Sequence, residues 1–262
     1  MFNRVFALVS RYCDLVLGSI PRLISVFWWP SIQIVLWGFF SRFLDEYGTS
    51  PYSAMSILLT AVILWDILFR GQLGLSITFF EEIWSRNLGH LFITPLRDIE
   101  LILGLIITSL IRTILGMIPA IFISIYYFDL NLILNGFFFL IFFFNLIFTG
   151  WSIGFIVSGL VLRYGQSYEE LAWAFIFLLL PFACVYYPLD SLPIFIQKIS
   201  VVISPVYVFE GMRELMAFNK INYNYLFYAF FLNMIYLLIS IIFFKKMIRS
   251  TKNIGKLINF GE

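Results

Sequence analysis

The sequence predicts an all-α membrane protein with six transmembrane helices. Apolar residues make up 61% of the chain, charged residues only 12%, and the mean hydropathy is +0.95. A soluble domain carries about 25% charged residues. Apolar runs of the roughly 20 residues needed to cross a bilayer take up most of the 262 positions. We therefore expect a single transmembrane domain over residues 1–262, with no room for a soluble catalytic domain.

Residues 1–21 predict an amphipathic helix in the membrane interface. Arg4, Arg11 and Asp14 lie opposite a set of apolar residues that recur at helical spacing. That set is Phe2, Val5, Phe6, Val9, Tyr12, Cys13 and Val16. A cleaved signal peptide is the alternative, although Arg11 and Asp14 interrupt the continuous apolar region that a signal peptide needs.

Six apolar runs define a core that we assign to residues 22–250. They cover residues 23–44, 52–69, 99–127, 132–162, 171–187 and 225–244. In the fourth run, Gly150, Gly154 and Ser158 follow one another at i, i+4 and i+8, which lets another helix approach closely. The stretch 194–209 is too short and too polar to be a span, so short re-entrant or outer helices are expected there.

The basic residues predict the orientation. Six spans put both termini on one side, together with the 70–98 connector, the 163–170 loop and a basic tail at 251–262. Twelve bases fall on that side, four on the other, and Arg112 lies inside. The twelve are Arg4, Arg11, Arg22, Arg70, Arg86, Arg97, Arg163, Lys245, Lys246, Arg249, Lys252 and Lys256, and the four are Arg42, Lys198, Arg213 and Lys220. This asymmetry predicts cytosolic termini. Cys13 and Cys184 then lie on opposite sides as free thiols.

The connector after the second run is the most polar stretch between two long apolar runs. Wound as one helix, it places Glu82, Arg86 and His90 on one face and apolar side chains on the other, until Pro95 ends it. Such a helix lies in the interface and offers its charged face to the water. A solvated loop helix without a partner is the alternative.

Residues for catalysis are missing from the sequence. It contains no phosphate-binding loop of the G-x-x-x-x-G-K-[ST] type, and His90 is the only histidine. No cluster for zinc or for a nucleophile relay is present. We therefore expect no catalytic residue, no metal and no cofactor in this chain. We expect it to contact membrane lipid and not nucleic acid.

Three charges fall inside the predicted spans: Asp66, Arg70 and Arg112. Asp66 lies 15 residues past Pro51 and Arg112 lies 14 past Asp98 in an antiparallel span, which suggests similar depths. An unpaired charge at that depth costs at least about 2.5–3.5 kcal/mol. We slightly favour an Asp66–Arg112 pair. A pair between Asp66 and Arg70, one turn along the same helix, remains open.

Two motifs resemble the membrane subunit of an ABC-2 type exporter over roughly residues 15–250. The first comprises Phe80-Glu81-Glu82, Trp84-Ser85, Thr94-Pro95-Leu96, Glu100 and Gly104. The second comprises Tyr187-Pro188-Leu189-Asp190-Ser191-Leu192-Pro193, Ser204-Pro205 and Glu210-Gly211-Met212-Arg213. Where the family often has Ser-Gly before the outer proline, this chain has Cys184-Val185-Tyr186-Tyr187.

The resemblance implies a coupling helix after the second span that rests on a separate ATPase subunit. Its contact candidates are Glu81, Glu82, Trp84 and Arg86, with Arg97 nearby. ATP and Mg²⁺ would bind in that partner, so this chain is not expected to be an enzyme. The short helices within 188–214 would cap the pathway as an outer gate formed by Tyr187, Pro188, Leu189, Pro193, Glu210 and Arg213.

The resemblance further implies a dimer, taken here as a homodimer, in a bacterial cytoplasmic (inner) membrane. It would export an amphipathic, lipid-linked, drug-like or polysaccharide substrate. Two alternatives stay open: an ion-coupled secondary transporter that uses Asp66, and a membrane assembly factor that transports nothing.

Overall fold

The computed structural model describes residues 1–47, 54–130 and 136–254. Over these ranges the chain is helical and contains no β-strand. Its α-helices are α1 (Phe2–Leu17), α2 (Ile20–Tyr47), α3 (Ala54–Trp84), α4 (Leu88–Ile93), α5 (Asp98–Phe128), α6 (Gly136–Tyr164), α7 (Leu171–Leu179), α8 (Ile194–Ser200), α9 (Ser204–Phe218) and α10 (Tyr223–Ile254). The predicted turn at 48–53, Asn131 and the tail from 255 lie outside the described residues.

Five of these helices, α2, α3, α5, α6 and α10, are long and apolar enough to cross a membrane. The number becomes six if α8 and α9, which meet at 102°, are taken as one broken span. The chain is thus a helical membrane protein. Helices α3 and α10 extend well beyond their apolar runs, because helical hydrogen bonding continues into polar residues until something breaks it.

The predicted fifth span is wrong as a continuous helix. Helix α7 has 9 residues and ends at Leu179, and residues 180–187 form turns and bends. Pro181 lies two residues after Leu179, and a proline cannot donate a helical backbone hydrogen bond. About nine residues rise only about 14 Å, roughly half a hydrocarbon core.

Helix α3 forms the centre of the bundle and packs against α2, α5 and α6. The predicted small-residue ladder of α6 makes this possible. A Cβ atom on Gly150 would come within 2.6 Å of the Leu68 carbonyl oxygen, and one on Gly154 within 3.2 Å of the Gln72 carbonyl oxygen. Backbones this close exclude any larger residue at Gly150, so the ladder is a helix-packing surface.

Both ends of the described chain lie at the same end of the bundle, which we call the terminal end. The Met1 amino group is 3.8 Å from Glu100, and the Lys252 ammonium is 3.4 Å from Asp98. The opposite, distal end contains α9, whose Gly211 lies beside Phe142 at the start of α6.

Along the bundle axis, α2 starts further from the terminal end than α5 does. Gly38 of α2 lies beside Phe128 of α5, and a Cβ atom on Gly116 of α5 would come within 2.9 Å of the Val26 carbonyl oxygen of α2. In both contacts the α5 residue comes ninety positions after the α2 residue that it faces. The first three turns of α5 therefore extend past the start of α2. Helix α1 covers them, with Leu8 against Gly104. The buried face of α1 is Val5, Leu8, Tyr12 and Val16, whereas Phe2 and Phe6 are exposed.

Candidate functional site

The predicted continuous helix through the connector is wrong, because the chain reverses after Trp84. Arg86 adopts a left-handed conformation with φ of 54°. The Asn87 N–H donates to the Glu82 carbonyl at 3.0 Å, and the Arg86 N–H donates to the Ile83 carbonyl at 2.9 Å. This is the Schellman arrangement that ends a helix. The connector is therefore the end of α3 followed by the six-residue α4.

Glu82 is buried rather than offered to the water. Its side chain is 1% exposed. It accepts hydrogen bonds from Arg11 of α1 at 3.0 Å and from Asn87 at 2.6 Å. Burial and the neighbouring Glu82 carboxylate raise the pKa of the Tyr12 hydroxyl well above its usual value, so Tyr12 stays neutral. Through its hydrogen bond with Arg11, Glu82 holds α1 against the bundle.

Two further buried acids repeat the pattern. Glu81 lies 3.9 Å from Arg22, and Glu100 lies 3.6 Å from Arg4. Glu100 also accepts the Arg97 N–H at 2.8 Å, at the start of α5. The exposed face predicted for Glu81 and Glu82 is therefore wrong. We call Glu81, Glu82 and Glu100 with their basic partners the terminal ion-pair layer.

Several connector side chains do face outward, among them His90, which was predicted to do so. We call Trp84, Arg86, Ile93 and Arg97 the connector surface. Ile93 is 83% exposed. The Trp84 indole N–H donates to the Glu169 carboxylate at 2.8 Å, which links the connector to the loop between α6 and α7. Burial raises the pKa of this carboxyl above its usual value. Of the predicted contact residues, Trp84, Arg86 and Arg97 are thus exposed, whereas Glu81 and Glu82 are buried.

The favoured Asp66–Arg112 pair is wrong. Asp66 binds Arg70 at 2.8 Å, and the Arg70 guanidinium also donates to the Val26 carbonyl at 2.7 Å. Arg112 donates to the Thr78 hydroxyl at 3.0 Å. Asp66 and Thr78 are twelve positions apart on α3, about 18 Å along its axis. Counting from span ends failed because α3 continues for 18 residues past Asp66 to Trp84 at the terminal end, whereas Arg112 lies only 14 residues past Asp98 at that end.

A double-mutant cycle should report this pairing. Asp66→Asn and Arg70→Gln should each lower the thermal stability of the protein in detergent, and their coupling free energy should be about 1–3 kcal/mol. Asp66→Asn combined with Arg112→Gln is the matched control, and its losses should add. Strict additivity for Asp66 and Arg70, with coupling to Arg112, would contradict the observed pairs.

The predicted outer-gate residues meet at the distal end around Arg213. Its guanidinium donates to the Tyr187 carbonyl at 2.8 Å, to the Val185 carbonyl at 3.2 Å, and to the Cys184 carbonyl. It also binds Glu210 at 3.1 Å. We call Glu210 and Arg213 the distal clamp. They hold the irregular segment after α7, whose carbonyls have no helical partners.

The remaining gate residues shape the turn that the clamp holds. The Leu189 N–H donates to Glu210 at 2.7 Å, and the Tyr187 hydroxyl donates to the Pro181 carbonyl at 2.6 Å. The Pro188 carbonyl accepts the Ser191 hydroxyl at 2.6 Å. Pro193 precedes α8, and its carbonyl accepts the first backbone bonds of that helix.

A cavity of about 340 Å³ lies between α2, α3, α5 and α7. Arg70 and Arg112 line it, together with the aromatic residues Trp29, Phe69 and Trp173. The cavity is thus an apolar space that contains two guanidinium groups. Such a space can bind an amphipathic molecule.

Sequence reasoning missed several residues that hold the site together. Arg22 counted only toward orientation and Arg11 only toward orientation and the polar face of α1, although each pairs with a buried acid. Asn145 and Asn233 also escaped notice. The Asn233 amide donates to Asn145 at 3.1 Å and accepts the Thr149 hydroxyl at 2.7 Å, linking α10 to α6. Asparagines inside two separate apolar runs were the available signal.

No protein-family model matches the chain, and comparison with curated proteins finds no sequence match. In the part of the chain that the structure describes, no group of three or more His, Cys, Asp or Glu side chains could hold a metal ion.

Proposed function

We propose that the chain is the membrane subunit of an ABC-2 type exporter, working as a dimer with a separate ATPase subunit. The observation that carries the proposal is the connector surface. Trp84 belongs to the first of the two motifs that resemble the family, and it is exposed at the last residue of α3. Arg86 and Arg97, the other exposed contact candidates, lie in the connector between α3 and α5. A partner that pushes on this surface acts directly on the central helix of the bundle.

In this proposal the chain crosses the membrane six times, with both termini in the cytosol of a bacterium. Helix α7 and residues 180–187 together make the fifth crossing, and α8 and α9 cap the distal side. The excess of bases on the side of the termini supports this orientation. The distal clamp supports the proposed fifth crossing, because a broken crossing needs side chains to satisfy its free carbonyl groups.

The ion-coupled carrier has weaker support. Asp66 is the acid that such a carrier would use, yet it is 2% exposed and bound to Arg70. A carboxylate held by a guanidinium on its own helix is poorly placed to exchange ions with water.

The terminal ion-pair layer also changes which residues a coupling experiment should replace. Glu81 and Glu82 act within the chain, so their loss would disturb α1 before it disturbed a partner.

The test is purification of the tagged chain from its native host in mild detergent, followed by measurement of bound ATPase activity. We expect an ATPase subunit to co-purify. The double variant Arg86→Glu/Ile93→Asp should reduce its amount at least about tenfold, because a reversed charge and a lost apolar contact both act at the interface. Lys220→Glu, an exposed charge reversal after α9, is the matched control and should bind normally.

Each outcome separates the alternatives. An intact double-variant complex would show that the partner binds elsewhere. A wild-type chain without any ATPase would contradict the proposed function. In that case, flux that follows a proton gradient would identify an ion-coupled carrier, and no flux under any gradient would identify an assembly factor.

A further inference from the structure

The cavity between α2, α3, α5 and α7 carries more positive than negative charge. Two bases line it, Arg70 and Arg112. One acid neutralises part of this charge, since Asp66 binds Arg70 at 2.8 Å. Glu81 also attracts Arg112, but it lies 3.9 Å from Arg22 and is shared with that base. One positive charge remains without a matching acid.

Arg112 is the residue that carries this remaining charge. Within the described residues, its hydrogen-bond partner is the Thr78 hydroxyl at 3.0 Å, and no carboxylate oxygen lies within 4 Å of it. One neutral hydroxyl leaves most of its five N–H donors unused. A guanidinium in a largely apolar space is costly unless an anion accompanies it. An anionic ligand would supply that charge.

The walls of the cavity indicate what kind of anion fits. They are formed by Val26, Trp29, Phe69, Leu73, Ile77 and Trp173. Trp29 of α2 is 48% exposed and Trp173 of α7 is 44% exposed, so the cavity reaches the outer surface of the bundle at these two rings. Exposed tryptophans on a membrane helix are typical of the level where lipid headgroups meet acyl chains. A molecule with an anionic head and an apolar tail matches both features.

The glycine opposite Arg70 keeps that side chain in place beside the cavity. A Cβ atom on Gly116 would come within 2.7 Å of the Arg70 guanidinium. Asp66 and the Val26 carbonyl therefore hold the Arg70 guanidinium, and the absence of a side chain at Gly116 leaves room for it. Its remaining N–H groups are free to face the cavity. The planar fork of an arginine matches phosphate oxygens in pairs.

We propose that this cavity binds the phosphate-bearing headgroup of an anionic membrane amphiphile, with Arg112 as the principal phosphate ligand. The acyl part leaves the cavity between Trp29 and Trp173. Free phosphate shares the headgroup chemistry, but the apolar walls favour the amphiphile. The site itself does not depend on the exporter assignment. Only the further statement that such amphiphiles are the exported substrates rests on the proposed function.

The test uses the purified chain in phosphatidylcholine vesicles, without ATP or any partner. A minor fraction of brominated phosphatidylglycerol, or of brominated phosphatidylcholine, is added, and quenching of tryptophan fluorescence is measured. The difference from the Trp173→Phe variant isolates the signal of Trp173. We expect the anionic lipid to be preferred there at least about fivefold, because the choline ammonium of phosphatidylcholine offsets the phosphate charge that Arg112 attracts.

Two variants assign the preference to Arg112. Arg112→Gln should reduce it to about one, and Arg112→Lys should retain part of it, because an ammonium still attracts phosphate but lacks the paired donors. Arg249→Gln removes an exposed charge from α10 and is the matched control, which should keep the full preference. A single symmetric peak in size-exclusion chromatography shows that each variant is folded.

The results against the proposal are equally definite. A wild-type protein without preference, or an Arg112→Gln variant that keeps it, would overturn the site. Inorganic phosphate that abolishes the preference at millimolar concentration would show a free-anion site instead of an amphiphile site. None of these results bears on ATPase co-purification, so the cavity and the proposed function can fail separately.

Discussion

Replacing Arg213 with alanine is expected to produce the largest loss of stability in the distal half of the protein. The substitution removes the donor for three backbone carbonyls and the charge partner of Glu210, whose side chain is 17% exposed. Breaking such a nearly buried pair by removing one partner costs about 3–5 kcal/mol. The segment after α7 should then open far more often.

Cys184 reports this opening, because its side chain is buried beneath the clamp. In a Cys13→Ser background, Arg213→Ala should increase the rate of maleimide labelling of Cys184 at least about tenfold, the factor that corresponds to 1.4 kcal/mol. Arg213→Lys should fall between the two, because one ammonium cannot serve three carbonyls at once.

Lys198→Ala is the matched control, since it removes an exposed base from α8 at the same end of the bundle. Its labelling rate should equal that of the Cys13→Ser parent. An unchanged labelling rate in Arg213→Ala would mean that the clamp does not hold the segment closed.

The second large effect is expected at the terminal ion-pair layer, and it should be asymmetric. Arg11→Ala leaves the carboxylate of Glu82, 1% exposed, with Asn87 as its remaining partner. We expect a loss of about 2–3 kcal/mol. Glu82→Gln leaves Arg11, which is 41% exposed and keeps its hydration. Its cost should stay below about 1 kcal/mol, as for other exposed charges.

Thermal unfolding in detergent measures both variants. Arg11→Ala should lower Tm by roughly 5–10 °C and Glu82→Gln by only a few degrees. Arg249→Ala is the control for loss of an exposed arginine and should leave Tm unchanged. Equal losses in Arg11→Ala and Glu82→Gln would mean that burial of the acid does not determine the energetics of this pair.

Much of the helical architecture could be predicted from the sequence, because it follows from local properties. Long apolar runs must become helices in a membrane, since no water is available to satisfy their backbone groups. Helices α2, α5 and α6 accordingly end within a few residues of their predicted limits. The amphipathic α1 and the small-residue surface of α6 were equally readable, because helical periodicity brings their members onto one face.

Two local predictions failed where short-range geometry competes with periodicity. The connector has a helical pattern, yet Arg86 takes up the left-handed conformation that ends α3. The fifth apolar run is long enough to cross, yet it is helical only to Leu179, just before Pro181. Hydropathy does not distinguish a continuous helix from one whose second half is irregular and held by Arg213.

The partners of the charges were decided by the tertiary structure alone. Asp66 could pair with Arg70 or Arg112 on sequence grounds, and Glu82 was predicted to face the water. Packing settled both questions. Arg70 binds Asp66 one turn away on α3, Arg112 reaches Thr78 instead, and α1 brings Arg11 to Glu82. Hydropathy specifies where in the chain the apolar helices lie, whereas ion pairs depend on the offset between helices along the bundle axis and on the few ångströms that a side chain can reach. That offset is set by packing between segments far apart in the chain, so it emerges only when the helices are assembled.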